Sequence, residues 1–121
     1  MKVKFNFEKL DVYQKSIDFV DEVYRMTRSF PKKEVYGISS QYIRAALSVA
    51  LNIAEGAGSS NAQFNRYLNI GLNSTRECVV CSTIAKRQGY ISDEQDKNTR
   101  TRLTEISKMI VSLQRYLKKD K

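Results

Sequence analysis

Residues 41–55, QYIRAALSVALNIAE, constrain the fold more strongly than any other segment of the chain. At about 100° per residue, their polar side chains fall within an arc of about 80° on one helix, and apolar side chains occupy nearly all the rest. A surface helix of a lone bundle needs only one apolar face. The pattern therefore predicts that this helix is covered on its back as well, most economically by another copy of the same chain.

The polar side chains of this helix and one carboxylate of the next helix are predicted to form a group that we call the polar seam: Gln41, Arg44, Ser48, Asn52, Glu55 and Glu77. Antiparallel pairing across the turn GAGSS predicts an ion pair between Arg44 and Glu77. The same pairing places Glu55 near the start of the next helix, where free backbone N–H groups favour a carboxylate. One interpretation of the seam is a polar network that fixes the helix register, and the other is a ligand or polynucleotide site.

Sparse turn signals predict the fold class. One Pro and 5 Gly leave few turns, and long runs of Lys, Arg, Glu, Gln, Ala and Leu favour helices. Hydrophobic periodicity predicts helices over about residues 11–28, 39–55, 61–88 and 93–118. Because the links are short, sequential helices must lie side by side. The chain is therefore predicted to be all-α, a single domain over residues 1–121 that folds as an antiparallel up-down-up-down four-helix bundle.

Capping residues predict where these helices begin and end. Asp11 is the predicted N-cap of the first helix, and Gly56 is the predicted left-handed residue that ends the second. Ser60 with Gln63 is the predicted capping box that opens the third helix, and Gly89 is predicted to end that helix. Ser92 with Gln95 is the predicted capping box that opens the fourth helix.

The two cysteines, Cys78 and Cys81, form a CxxC motif inside a predicted helix. Structural zinc needs four ligands, and the chain has no His and no second Cys pair. A redox CxxC lies at a helix start, where the dipole lowers the thiol pKa, and this pair does not. We therefore expect two buried, reduced thiols.

Several classes of function are disfavoured by what the sequence contains. Without His, a metal-ligand set or a glycine-rich phosphate loop, the sequence predicts no enzyme, no cofactor and no metal site. The longest uncharged apolar stretch, residues 45–54, is about half of the roughly 20 residues that a membrane-spanning helix needs. The N-terminus also lacks the apolar core of a signal peptide, so a cytoplasmic protein is predicted.

A formal net charge of +8 predicts an anionic partner, with nucleic acid first. Both ends of the predicted bundle carry an excess of basic residues, and the middle carries a slight excess of acidic ones. At the end that holds the first and third turns, the predicted phosphate contacts are Arg25, Arg28, Lys32, Lys33, Lys86, Arg87, Lys97 and Arg100. Most aromatic residues fall in core positions, which favours phosphate contact over base recognition. The alternative is that these charges form solvated faces.

Five segments carry a resemblance to a known family: FEKLDVYQKS, FPKKEVYG, SQYIRAALSVALNIAEG, FNRYLNIGLNSTRE and GYIS. In order and spacing they resemble the bacterial four-helix bundle proteins encoded in intervening sequences of large-subunit ribosomal RNA genes. That family is similar in turn to the accessory variability determinant of diversity-generating retroelements, a basic pentameric ring that works beside a reverse transcriptase and nucleic acid. The resemblance implies a homo-pentamer and an RNA or DNA partner. Where the family usually has a basic residue, this chain has Ile43.

The predicted function is therefore that of a non-enzymatic, oligomeric, basic four-helix bundle that binds RNA or DNA through phosphate contacts. The alternative is a protein-interaction scaffold or accessory subunit without direct nucleic-acid binding, whose partner is an acidic protein or a reverse transcriptase. Salt-sensitive binding to RNA of random sequence separates the two.

Overall fold

The computed structural model describes residues 2–119 and confirms the all-α four-helix bundle. Its helices are α1 (Asp11–Thr27), α2 (Ile38–Ala57), α3 (Asn61–Arg87) and α4 (Asp93–Lys119), and short 3₁₀ turns at Asn6–Lys9 and Lys32–Glu34 precede α1 and α2. Helices adjacent in the chain pack side by side, α2 against α3 most closely, and α1 also contacts α4. This order gives the predicted up-down-up-down arrangement.

All four helices contribute to one apolar core. Phe19 from α1, Tyr42 and Ile53 from α2, Leu68 from α3 and Ile110 from α4 are each at most 1% exposed. Apolar side chains recur every three or four residues, so each helix buries one continuous stripe. Burying each such side chain contributes about 1.5–3 kcal/mol, which makes this cluster the main source of stability.

Gly56 has a different role from the predicted one. Helix α2 continues through Gly56 to Ala57, and within residues 2–119 only Gly89 has a positive φ, 79°, where it follows α3 as predicted. A Cβ atom on Gly56 would lie 2.7 Å from a ring carbon of Phe64 and 2.8 Å from the Cβ of Tyr67. Gly56 therefore permits the close approach of α2 and α3 beside their turn.

Replacing Gly56 with Ala is expected to lower the free energy of unfolding by about 2 kcal/mol, because the added methyl group overpacks the contact between α2 and α3. Urea unfolding followed by circular dichroism measures the change. Gly58→Ala is the matched control, since a Cβ there meets no atom within 4 Å and its φ is −93°. Equal stability of the two variants would contradict the packing role of Gly56.

The helix starts follow the predicted capping residues in two of three places. Helix α4 opens with a complete capping box, in which the Ser92 N–H donates to Gln95 Oε1 at 2.8 Å and the Gln95 N–H donates to Ser92 Oγ at 3.0 Å. In α3, Ser60 Oγ accepts from the Gln63 N–H at 3.2 Å. The prediction for Asp11 is wrong, because it is the first helical residue and favours the helix only through the dipole.

Candidate functional site

An aromatic contact joins the two turns at one end of the bundle. The rings of Phe30 and Tyr90 lie 5.3 Å apart, and the Tyr90 hydroxyl donates to Glu34 Oε2 at 2.7 Å. The hydrogen bond to this carboxylate raises the pKa of Tyr90 above its ordinary value. The connector after α1 and the turn between α3 and α4 therefore form one surface. Sequence analysis did not assign this role, because the partners lie 56 residues apart.

The eight predicted phosphate contacts all lie at this end, and all are exposed. They come from the end of α1, the following 3₁₀ turn, the end of α3 and the first turns of α4. We call this surface the basic end: Arg25, Arg28, Lys32, Lys33, Lys86, Arg87, Lys97 and Arg100. Tyr36, in the same connector, is 96% exposed and is an exception to the predicted placement of aromatic residues in the core.

Intramolecular carboxylates already hold several cations of the basic end. Arg25 pairs with Glu22 at 2.6 Å, and Lys86 and Lys97 share Asp93 at 2.8 and 3.1 Å. Hydrogen bonds from the two lysines lower the pKa of Asp93, so this carboxylate stays charged well into the acidic range. These three cations are therefore partly neutralised before any partner arrives.

Arg100 belongs to a partly buried polar cluster. Its Nε atom contacts Asp96 Oδ2 at 3.0 Å, and its Nη2 donates to Thr83 Oγ1 at 2.7 Å. Asp96 is only 6% exposed and also accepts from the Ser82 hydroxyl at 2.6 Å. Burial alone would raise the pKa of Asp96, but the hydrogen bonds from Ser82 and Arg100 outweigh it and lower that pKa. The cluster fixes Arg100 on the surface.

The remaining four cations of the basic end, Arg28, Lys32, Lys33 and Arg87, are exposed, and none forms an ion pair with any part of the chain that the structure describes. Exposed, unpaired cations near one another raise the local positive potential. They are therefore the residues of this surface best suited to phosphate contact.

The hydrogen bonds of the polar seam are formed by short side chains. The Ser74 hydroxyl donates to Ser48 Oγ at 2.7 Å, and Asn52 Nδ2 donates to the Ser48 carbonyl oxygen at 2.7 Å and to its Oγ at 3.1 Å. Because Ser48 is on α2 and Ser74 is on α3, this contact links the two helices, which agrees with the network interpretation. The ligand-site interpretation stays an untested alternative.

The other four residues of the seam are exposed. Arg44 and Glu77 do not form the predicted ion pair, because both long side chains are exposed and nothing desolvates them. Glu55 is exposed and does not bond the first turn of α3, which Ser60 caps instead. Gln41 is exposed at the other end of the seam.

Four large apolar side chains of α2 and α3 are exposed on the outside of the bundle. The exposed fractions are 56% for Leu51 on α2 and 48%, 57% and 41% for Ile70, Val80 and Ile84 on α3. The register of α2 and α3 places Leu51 level with Ile70. We call these four residues the outer α2–α3 face. Among the apolar residues of α2 only Leu51 is exposed, so the chain itself covers most of the apolar surface that the sequence assigned to a second copy. The side of α2 that stays open carries Gln41, Arg44 and Glu55 beside Leu51.

Both cysteines are free and buried, as predicted. Cys78 is completely covered and Cys81 is 3% exposed. Burial raises the pKa of Cys81 to about 11 and also raises that of Cys78, so both are thiols at neutral pH. Within residues 2–119, no three or more His, Cys, Asp or Glu side chains are grouped to hold a metal ion. None of the helices in this range combines the length and apolar character needed to cross a bilayer.

Residues 8–112 match the model of the 23S rRNA-intervening sequence protein family. The chain belongs to this family. A solved relative is a protein of unknown function from the S23 ribosomal protein family of Bacteroides thetaiotaomicron VPI-5482, with a TM-score of 0.79 and 27% sequence identity. The match covers 86% of this intervening-sequence protein and 95% of the relative. No curated protein matches the chain.

Proposed function

We propose that this intervening-sequence protein is a non-catalytic oligomer that binds RNA or DNA through phosphate contacts at its basic end. The observation that carries the proposal is the set of unpaired, exposed cations on one surface: Arg28, Lys32, Lys33 and Arg87. The Tyr90–Glu34 hydrogen bond joins the two turns that present them. Such cations bind phosphates of any sequence by releasing condensed counterions. The family name and the net charge of +8 also support a nucleic-acid partner.

The outer α2–α3 face supports the oligomeric part of the proposal. Its four large apolar side chains are 41–57% exposed, and burying the exposed part of each against another molecule contributes about 1 kcal/mol. We assign a second copy of the chain as the occupant, because the same face also carries Arg44 and Glu77. These opposite, unpaired charges can pair between copies. The number five rests on the resemblance to the retroelement accessory determinant, and a ring would bring several basic ends together.

Reversing three cations tests the assignment of the basic end. The variant Arg28→Glu, Lys32→Glu, Lys33→Glu is compared with Lys2→Glu, Lys4→Glu, Lys9→Glu, which changes the net charge equally at the opposite end. Fluorescence anisotropy with a mixed-sequence RNA is expected to show at least tenfold weaker binding for the first variant. Its salt slope is expected to be smaller by about 3, because three phosphate contacts are lost.

The control decides how this result is interpreted. Equal weakening in both variants would mean that only overall charge matters, and unchanged binding in the basic-end variant would reject the assigned surface. If the wild-type oligomer binds neither RNA nor DNA at low salt, the scaffold alternative replaces nucleic-acid binding.

A further inference from the structure

A trough runs along α4 on the outside of the bundle, and over part of its length it lies between α4 and α3. Two adjoining depressions, with volumes of about 410 and 300 Å³, share Ser107 and Lys108 in their walls. Most of the lining comes from α4, and α3 adds Thr75, Arg76 and Val79. We call the combined feature the α3–α4 trough. It begins at Arg100 of the basic end and follows α4 to Arg115.

The trough is lined by cations and by no carboxylate. Its charged residues are Arg76, Arg100, Lys108 and Arg115. Of these, Arg76, Lys108 and Arg115 are exposed and form no ion pair with residues 2–119. The nearby acid of α4, Glu105, pairs instead with Lys15 of α1 at 3.3 Å. The slight acidic excess predicted for the middle of the bundle therefore does not reach this side.

Hydroxyl groups lie between the cations. Thr104, Ser107 and Ser112 line the trough between Arg100 and Arg115, which are separated by about 22 Å along the helix at 1.5 Å per residue. The Thr104 hydroxyl donates to the Arg100 carbonyl oxygen at 2.8 Å, which leaves its oxygen able to accept. A hydroxyl can both donate to a phosphate and accept from another hydroxyl, whereas Lys and Arg can only donate.

We propose that the α3–α4 trough binds the sugar–phosphate backbone of double-stranded RNA. The inference rests on the proposed function and adds the partner's class and a second contact surface. The shallow minor groove of A-form RNA displays 2′-hydroxyls bordered by phosphates, which matches hydroxyls bordered by cations. Recognition of single strands relies on aromatic side chains that stack on bases, and none lines the trough.

Two variants separate the phosphate contacts from the 2′-hydroxyl contacts. Lys108→Glu, Arg115→Glu removes the two unpaired cations that α4 contributes, and Thr104→Val, Ser112→Ala removes hydroxyls with little change of shape. All four residues are exposed, so the fold is expected to survive, and the unfolding midpoint verifies this. Lys4→Glu, Lys9→Glu is the control for net charge. The probe is an RNA duplex of about 20 base pairs, since double-stranded RNA-binding domains span about 16.

Fluorescence anisotropy over a salt series is expected to give three results. The wild-type protein binds the RNA duplex at least tenfold more tightly than a DNA duplex of the same sequence. The charge variant binds the RNA duplex at least tenfold more weakly than the control does, with a salt slope smaller by about 2. The hydroxyl variant loses the preference for RNA over DNA and keeps the wild-type salt slope.

Other outcomes would overturn the inference in distinguishable ways. If the charge variant binds like its control while the basic-end variant weakens, the trough is rejected and the proposed function stands. Equal wild-type binding of RNA and DNA duplexes, or tighter binding of single-stranded RNA, rejects the assigned partner. Absence of wild-type binding to every nucleic acid at low salt rejects the proposed function itself.

Discussion

Replacing Leu51 and Ile70 with Asp is expected to reduce the mass measured by light scattering from several times 13.9 kDa to that of one chain. Both side chains are about half exposed in the isolated bundle, so the substitutions leave the core intact. In the oligomer they would place two carboxylates per copy against apolar surface, and desolvating a charge without a partner is costly. Lost burial adds about 1 kcal/mol for each side chain, and together with the desolvation cost this is enough to dissociate a micromolar assembly.

Val3→Asp, Val35→Asp is the matched control for this experiment. These valines are 78% and 57% exposed and lie outside the outer α2–α3 face, so the oligomer is expected to persist. Circular dichroism of each variant verifies that the helices are retained. A monomeric wild-type protein would reject the oligomer, and an unchanged mass of the Leu51 and Ile70 variant would reject the assigned face.

Replacing Asp96 with Ala is expected to lower the free energy of unfolding by about 2–3 kcal/mol. The change removes the acceptor of the Ser82 hydroxyl, which is completely buried, and the carboxylate that holds Arg100. An unsatisfied buried hydroxyl costs about 1–3 kcal/mol, whereas the half-exposed Arg100 regains water. The double variant Ser82→Ala, Asp96→Ala is expected to recover part of this loss, because neither partner is then orphaned.

The Asp96 contribution is also expected to depend on pH. Because the pKa of Asp96 in the folded chain lies below its ordinary value of 3.8, folding favours the charged carboxylate. The resulting stability is present above the ordinary pKa and is lost as the pH falls through the lower, folded value. Unfolding of the wild type and of Asp96→Asn from pH 7 to 2 measures this difference, which is expected to shrink below about pH 4. A constant difference would contradict the role of the charge.

The fold could be predicted from the sequence because its determinants are local. All four helices were predicted to within two residues of their observed bounds. The signals were the scarcity of Gly and Pro, the apolar stripes, and the capping box at Ser92 and Gln95. Short links then left one simple topology. A polar contact between α2 and α3 was predicted, but the pairing of Ser48 with Ser74 was not.

The surface could be predicted only in part, because side-chain partners depend on packing around each helix axis. The net charges of the two ends and of the middle of the bundle do not tell which side of a helix a charge lies on. They could not show that Glu105 faces α1 and leaves the α3–α4 trough basic. The Arg44–Glu77 ion pair was predicted only from the positions of the two residues along the antiparallel helices, but these exposed side chains do not form it. For Gly56, the residue type suggested a left-handed cap, whereas tertiary packing against Phe64 uses its missing side chain.

The proposed function requires that this protein bind nucleic acid through phosphate contacts. Its most direct test is the affinity of the wild-type protein for a mixed-sequence RNA, measured by fluorescence anisotropy from low to physiological salt. The logarithm of the affinity is expected to fall linearly with the logarithm of the salt concentration. The slope is expected to be about −3 or steeper, because four unpaired cations at the basic end each release about 0.7–0.9 of a counterion. An affinity that does not change with salt, or no binding at low salt, would contradict the proposed function.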